Sequence, residues 1–325
     1  MAHHTEQILS LLYKKKEAYT SGQEIADGLG VTRAAIWKVI EALRADGYEV
    51  ESAAAKGYRL VSIPDLLGER EIRLGLDTKT MGKVIHSLAE VDSTNSYASR
   101  LASDGAPEGT VVVSDRQTAG RGRLGRKWAS PPGVNIYMSV ILRPEIPPSE
   151  APMLTLAASV AVAQALRGLY GLQAEIKWPN DVLMDGRKAV GILTEMSAEP
   201  DRVRHIVLGV GIDVNMTRES FPKELKNIAT SVMAELGKKV DRAELVRRFL
   251  LELEKTYAML TGGKKEAVLN AWRGLSCTLG RKVRVVTPRG EATGLARDID
   301  ESGALIVELG GGRVEKVTSG DVGFV

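Results

Sequence analysis

Hydrophobic and polar positions change period along the chain, and the changes mark three segments. Up to about residue 64 the apolar positions recur at helical spacing. Residues 6–16 predict an opening helix. Ser21 and Glu24 have the spacing of a capping box at the start of a second, short helix that Gly30 closes. Thr32 is placed to cap a third, with Ile36, Ile40 and Leu43 on one face and Gly47 at its end. Period two then takes over. Residues 48–52 and 57–61 predict strands around a tip at Ala53-Ala54-Ala55-Lys56. A helix–turn–helix followed by a two-stranded wing is a winged helix-turn-helix, expected over residues 1–64 with Pro64 as its exit.

The second segment, residues 65–274, mixes the two periods. Short strands at 109–114, 134–142, 174–177, 188–196 and 203–214 alternate with helices near 95–103, 151–169, 230–236 and 241–260. Asp185-Gly186 between two strand-like runs signals a hairpin turn. Hairpins among helices predict an α+β domain, a mixed sheet with helices on one face rather than a repeating βαβ array. Residues 275–325 read as short strands separated by glycine turns, a length and spacing suited to a small barrel.

Composition adds exclusions. The formal net charge of +3 argues neither for nor against nucleic acid. A single cysteine, Cys277, allows no internal disulfide and fits a reducing, cytoplasmic setting. The longest apolar stretch, residues 153–166, is interrupted by Thr155, Ser159 and Gln164 and is too short to span a bilayer. It predicts a buried helix and no membrane partner. No cleavable leader pattern opens the chain, and the four histidines lack metal-ligand spacing, so no resident metal site is expected.

Residues 116–128 read Arg-Gln-Thr-Ala-Gly-Arg-Gly-Arg-Leu-Gly-Arg-Lys-Trp. Gly120, Gly122 and Gly125 match the dinucleotide fingerprint by letter, but that fingerprint opens a helix, and Pro131-Pro132 forbids one here. A phosphate-binding Walker loop fails as well, because Arg126 stands where lysine is required. What remains is a glycine-rich loop carrying Arg116, Arg121, Arg123, Arg126 and Lys127, able to close over an anion. With no internal reason for those arginines to stay put, the loop is expected to be mobile until a ligand orders it. Trp128 gives it a ring to stack on something.

Three further groups stand out. Lys177-Trp178-Pro179-Asn180-Asp181 precedes an apolar strand that begins at Lys188, where a lysine is costly without a partner. An edge-strand gatekeeper would also explain Lys188. Ser93-Thr94-Asn95 opens a helix, where most such runs are caps. Glycines in the strand ending Gly209-Val-Gly-Ile-Asp-Val-Asn215 allow close approach by a ligand or another chain.

At these residues the chain resembles the bacterial bifunctional biotin–protein ligases, which are also biotin operon repressors. GRGRLGRKW, KWPND with the following Arg187-Lys188-Ala189-Val190-Gly191-Ile192-Leu193, the Ser93-Thr94-Asn95 run and the GVGIDVN strand occur in the family's order, and the likeness covers all three segments. One departure is visible: Asp213 and Val214 stand where small apolar residues are usual. The resemblance implies a catalytic domain like that of class II aminoacyl-tRNA synthetases, followed by an SH3-like barrel. It implies that Ser93, Thr94, Asn95 and Gln117 hydrogen-bond the polar rings of biotin, with Arg121, Gly122 and Arg123 on the carboxylate and phosphate side. Lys188 would reach the reacting carboxylate, and Lys188 and Arg123 would be the catalytic cations. Arg121 and Arg126 would attend the nucleotide, Trp128 would stack on adenine with Asn215 at its edge, and Asn180 and Asp181 would lie nearby. Biotin and ATP would be substrates, with Mg2+ on the phosphates and a biotin carboxyl carrier protein as acceptor. Lipoate ligases share the catalytic fold, so substrate choice rests on the motifs.

The first segment carries eight Lys/Arg and eight Asp/Glu, weak electrostatics for DNA. Placement says more. Arg33, Ala34, Trp37 and Lys38 share the outward side of the third helix, and Lys56 sits at the wing tip, where a recognition helix and wing would meet operator DNA. A module of zero net charge needs two copies on one site, so a homodimer when adenylate-bound is expected. Three readings stay open from the residues: ligase and repressor, ligase alone, or a ligand-sensing transcription factor without catalysis.

Overall fold

The computed structural model describes residues 2–15, 18–287 and 290–325; Lys16, the expected end of the first helix, lies outside them. The chain divides into two compact units, Met1–Asp77 and Thr78–Val325.

The first unit holds α1 (Ala2–Lys14), α2 (Gly22–Leu29), α3 (Arg33–Ala45), the antiparallel hairpin β1 (Glu49–Ala53) and β2 (Gly57–Ser62), and α4 (Glu69–Arg73). Its caps follow from the sequence. Ser21 Oγ accepts from Glu24 N at 3.0 Å, Thr32 Oγ1 accepts from Ala35 N at 3.2 Å, and Gly30 closes α2 at φ 65°. Ile8, Leu9 and Leu12 of α1 pack with Ile25, Ile36, Ile40 and Leu43 in one core. Arg33, Ala34, Trp37 and Lys38 are exposed together on α3, and Lys56 is exposed at the wing tip.

The unit runs past the expected boundary at Pro64. Leu74 joins its core, and the Tyr48 hydroxyl donates to the Glu71 carboxylate of α4. A helix of five residues is too short to show a period, which is why the pattern stopped at the proline.

The second unit, Thr78–Val325, is built on a seven-stranded sheet. Its strands are β3 (Ile85–Leu88), β4 (Val111–Ser114), β5 (Ile136–Leu142), β6 (Ala174–Lys177), β7 (Asp181–Met184), β8 (Arg187–Ala198) and β9 (Val203–Ile212). The order is β3-β4-β5-β9-β8-β7-β6, parallel at β3–β4 and antiparallel elsewhere. Asp185 at φ 49° and Gly186 at φ 71° make the β7–β8 turn, both left-handed as a two-residue hairpin of this kind requires.

Helices cover both faces, which corrects the expectation of one. Thr194 of β8 meets Thr155 of α6 (Pro152–Tyr170) at 2.8 Å, whereas Glu195, the next residue, accepts from Asn95 of α5 (Thr94–Ser103) at 2.8 Å. Successive strand residues point to opposite faces, so α5 and α6 lie on opposite sides. Helix α6 is the apolar run noted above. It is buried along most of its length because the sheet covers one side and α8 (Arg242–Thr261) and α9 (Lys265–Leu275) cover the other. The short α7 (Val232–Leu236) precedes α8.

The last strands, β10 (Lys282–Thr287), β11 (Gly290–Ile299), β12 (Leu305–Glu308), β13 (Val314–Val317) and β14 (Asp321–Phe324), form an antiparallel sheet in the order β13-β12-β11-β10-β14.

Candidate active site

A cavity of about 520 Å³ opens on the face of the large sheet that carries α5. Its floor is made of glycines. Gly191 of β8 and Gly211 of β9 are direct cross-strand partners. A Cβ at Gly211 would stand 2.6 Å from Trp128 Cε2, and one at Gly191 would stand 2.8 Å from Trp128 Cζ3. The indole lies on the bare backbone that the two glycines leave. Gly209 does the same for Asn95, whose Oδ1 would meet a Cβ there at 2.1 Å. The close approach foreseen for these glycines is therefore used by the chain's own side chains. The Trp128 indole N–H is buried and has no hydrogen-bond partner among the described residues.

One end of the cavity is polar and neutral. Gln117 Oε1 accepts from Thr94 N at 2.9 Å and from Thr94 Oγ1 at 3.2 Å. Asn95 Nδ2 donates to Leu193 O and Glu195 Oε2, and Asn95 Oδ1 accepts from Ser139 Oγ at 2.7 Å. Ser93, at the α5 N-cap, lines the same end.

Cations gather in the middle. Lys188 reaches the cavity because a bulge inserts Ala189: Val182 pairs with Val190, but the next residue, Leu183, pairs with Lys188. The extra residue turns the lysine onto the glycine face. Lys188 Nζ lies 2.6 Å from Asp181 Oδ1 and 5.5 Å from the centre of the Trp128 ring. Since β8 is an interior strand, the gatekeeper reading of Lys188 fails.

The arginine loop is a folded hairpin, with Gly122 N donating to Arg126 O at 2.7 Å and Trp128 N donating to Gly120 O at 3.0 Å. Each arginine has a partner outside the loop. Arg116 pairs with Glu90 at 2.7 Å and Arg121 with Glu195 at 3.6 Å. Arg123 donates to Asn180 Oδ1 at 2.8 Å and to Gly320 O at 3.2 Å, and Arg126 pairs with Asp321. Burial lowers the Arg123 guanidinium from its ordinary value, and the Asp321 and Asp181 carboxylates oppose that shift.

Nearly all the residues singled out from the sequence line this cavity: Ser93, Thr94, Asn95, Gln117, Arg121, Gly122, Arg123, Arg126, Trp128, Asn180, Asp181 and Lys188. Asn215 does not. Strand β9 ends at Ile212, and beyond it the chain turns so that Asn215 Nδ2 donates to Val240 O while its Oδ1 accepts from Val240 N. It ties down the approach to α8.

The wall position next to Gly211 on the same face is Asp213. Its carboxyl is buried at the cavity, accepts from Asn135 Nδ2 at 2.9 Å, and is pushed up to about 8 by burial, with Lys188 pulling the other way. Sequence reading missed Asp321 and Phe324 as well, which reach the cavity from β14. Among the described residues no three His, Cys, Asp or Glu side chains gather as metal ligands.

Comparison with known proteins matches this geometry. Residues 88–213 match the biotin/lipoate A/B protein ligase family, residues 4–59 an HTH domain, and residues 278–325 the biotin protein ligase C terminal domain. The bifunctional ligase/repressor BirA of Bacillus subtilis is 46% identical over 98% of this chain and 97% of its own length. The chain belongs to the bifunctional biotin ligase/repressor family. BirA of Escherichia coli is 33% identical over 90% of this chain and 89% of its own. A solved structure of the biotin protein ligase from Aquifex aeolicus in complex with biotin and ATP superposes with a TM-score of 0.65 at 30% identity, covering 75% of this chain and 99% of that one. Membership of this family accounts for the order of the three matched segments: an HTH domain, a ligase core and a small β-rich domain.

Proposed function

We propose that this chain joins biotin to ATP as biotinyl-5′-AMP, releases pyrophosphate, and transfers the biotinyl group to a lysine of a biotin carboxyl carrier protein. Its winged helix binds operator DNA and represses biotin-synthesis genes. The observation that carries this reading is the cavity's division into a neutral polar end, a cationic middle and a tryptophan wall.

In the first step the biotin carboxylate attacks the α-phosphorus, and pyrophosphate leaves with the electron pair of the broken P–O bond. Two anions must meet, so cations at their junction lower the barrier. Lys188 and Arg123 hold that position, with Arg121, Gly122 and Arg126 on the phosphate side. Ser93, Thr94, Asn95 and Gln117 receive the ureido ring. The base stacks on Trp128, and its edge meets Asp213, which takes the part first assigned to Asn215. In the second step the lysine amine attacks the activated carbonyl and AMP departs. Mg2+ would be bound mostly by phosphate oxygens and water and would supply charge neutralisation there. Asn180 and Asp181, whose side chains already meet Arg123 and Lys188, would be the wall residues to hold it.

Biotin-dependent exchange of pyrophosphate into ATP tests the reading. Exchange is expected with biotin and not with lipoate or octanoate. Exchange driven by lipoate but not by biotin would overturn it.

Repression requires a second copy. Arg33, Ala34, Trp37, Lys38 and Lys56 offer a single short contact surface, so useful affinity comes from two modules on one symmetric site. The adenylate is expected to favour a homodimer of the catalytic unit, and linkage then tightens operator binding by about 1–3 kcal/mol. Sedimentation velocity should show a rise in mass with biotin and ATP together and none with either alone. An unchanged mass in all conditions removes the proposal.

A further inference from the structure

We propose that Asn135 is a positioning residue which, braced from behind by Arg242 and Asp115, presents the Asp213 carboxyl to the nucleotide base. The inference rests on the function proposed above and adds residues that line no part of the cavity.

Asn135 immediately precedes β5 and is completely buried. Both halves of its carboxamide are spent on the segment just past β9. Nδ2 donates to Asp213 Oδ1 and Oδ1 accepts from Val214 N, each at 2.9 Å. Its backbone carbonyl accepts from Arg242 Nη1 at 3.1 Å, and the same nitrogen lies 2.9 Å from Asp115 Oδ1. Arg242 is 2% exposed at the first turn of α8, where an unpaired guanidinium would be costly. Asp115 follows β4 and stands two residues before Gln117. A buried strut thus runs from α8 to the cavity wall, and its far end is tied to the strand that leads to Gln117.

The strut gives the wall carboxyl a direction. One Asp213 oxygen is fixed on Asn135, which leaves the other to the cavity. Gly211, two residues earlier on the same face, lies under Trp128, so that oxygen is beside the ring on which the base stacks. Lys188 of β8, itself paired with Asp181 of β7, and Tyr137 of β5 are the other titratable groups around it. The free oxygen has lone pairs with which to accept a hydrogen bond. Adenine presents the complement at its edge, the 6-amino group, a donor. Biotin's ureido group has its own partners at the opposite end of the cavity.

The test compares ATP with purine riboside 5′-triphosphate, which lacks the 6-amino group, in biotin-dependent exchange by the full chain. Wild type should prefer ATP by about tenfold, the scale of one hydrogen bond in a closed site. Asn135→Ala should raise KM for ATP about three- to tenfold and flatten that preference, with kcat and KM for biotin within about twofold. A merely structural role would instead raise both KM values and keep the preference. Either result, a preserved preference or an equal rise in both, overturns the proposal. Should Asn135→Ala melt far below wild type, Arg242→Lys, which lacks the planar fork, is expected to flatten the preference in part. A full preference there overturns it too. Wild type without any biotin-dependent exchange would sink the functional reading itself, whereas exchange with intact preference in the variants sinks only the strut.

Discussion

Replacing Lys188 or Arg123 by alanine should slow adenylate formation by about 10²–10³, the usual cost of losing one preorganised transition-state donor. Both side chains are held where they are by neighbouring groups. Lys188 owes its direction to the Ala189 bulge and its order to Asp181, 2.6 Å away. Arg123 is anchored on Asn180 and on the Gly320 carbonyl. Positive charge is thereby fixed before the substrates arrive, and no reorganisation is needed when carboxylate and phosphate meet. The loss should fall mainly on kcat, since the repulsion being relieved is greatest in the transition state. Exchange rates within about threefold of wild type for both variants would remove these residues from the chemistry.

Gly211→Val is expected to lower kcat/KM for ATP by about ten- to a hundredfold, the range set by overpacking costs of about 1–3 kcal/mol. The added Cβ would lie 2.6 Å from Trp128 Cε2, so the indole has to leave the floor. The sheet can keep its hydrogen bonds, because valine suits a strand, and the injury is therefore to the cavity. Steady-state kinetics with ATP and biotin varied separately would show it: KM for ATP rises and KM for biotin changes little. An equal loss for both substrates would mean that the sheet, rather than the ring, has moved.

Local pattern carried much of this molecule. The capped helices of the first unit, the Asp185-Gly186 turn and the buried α6 are written in residues a few positions apart, and each was legible. So was the oddity of Lys188 in an apolar strand. What made that lysine functional was the bulge, and a one-residue insertion leaves no mark in hydropathy. Asp213 and Asn215 share a face by period two, and the sequence does not tell where β9 stops. The strand ends at Ile212, just before both, and the turn beyond it leaves Asp213 on the cavity wall while Asn215 caps the approach to α8. The arginine loop was expected to lack internal order because its partners lie far away in sequence. Glu90, Asn180, Glu195 and Asp321 become neighbours only when the fold is complete. The same distance hid Asp321 and Phe324, which come from a sheet whose own pattern reads as turns and short strands.

The glycine pair at the centre of the floor ties the loop to the sheet. Gly191 and Gly211 face each other across β8 and β9, and at that rung neither strand offers a side chain to the other. The missing cover is the indole of Trp128, which belongs to the loop. Displacing the loop would strip the sheet of its cover at its barest rung, and a ligand that holds the loop down is therefore expected to stiffen two strands at once.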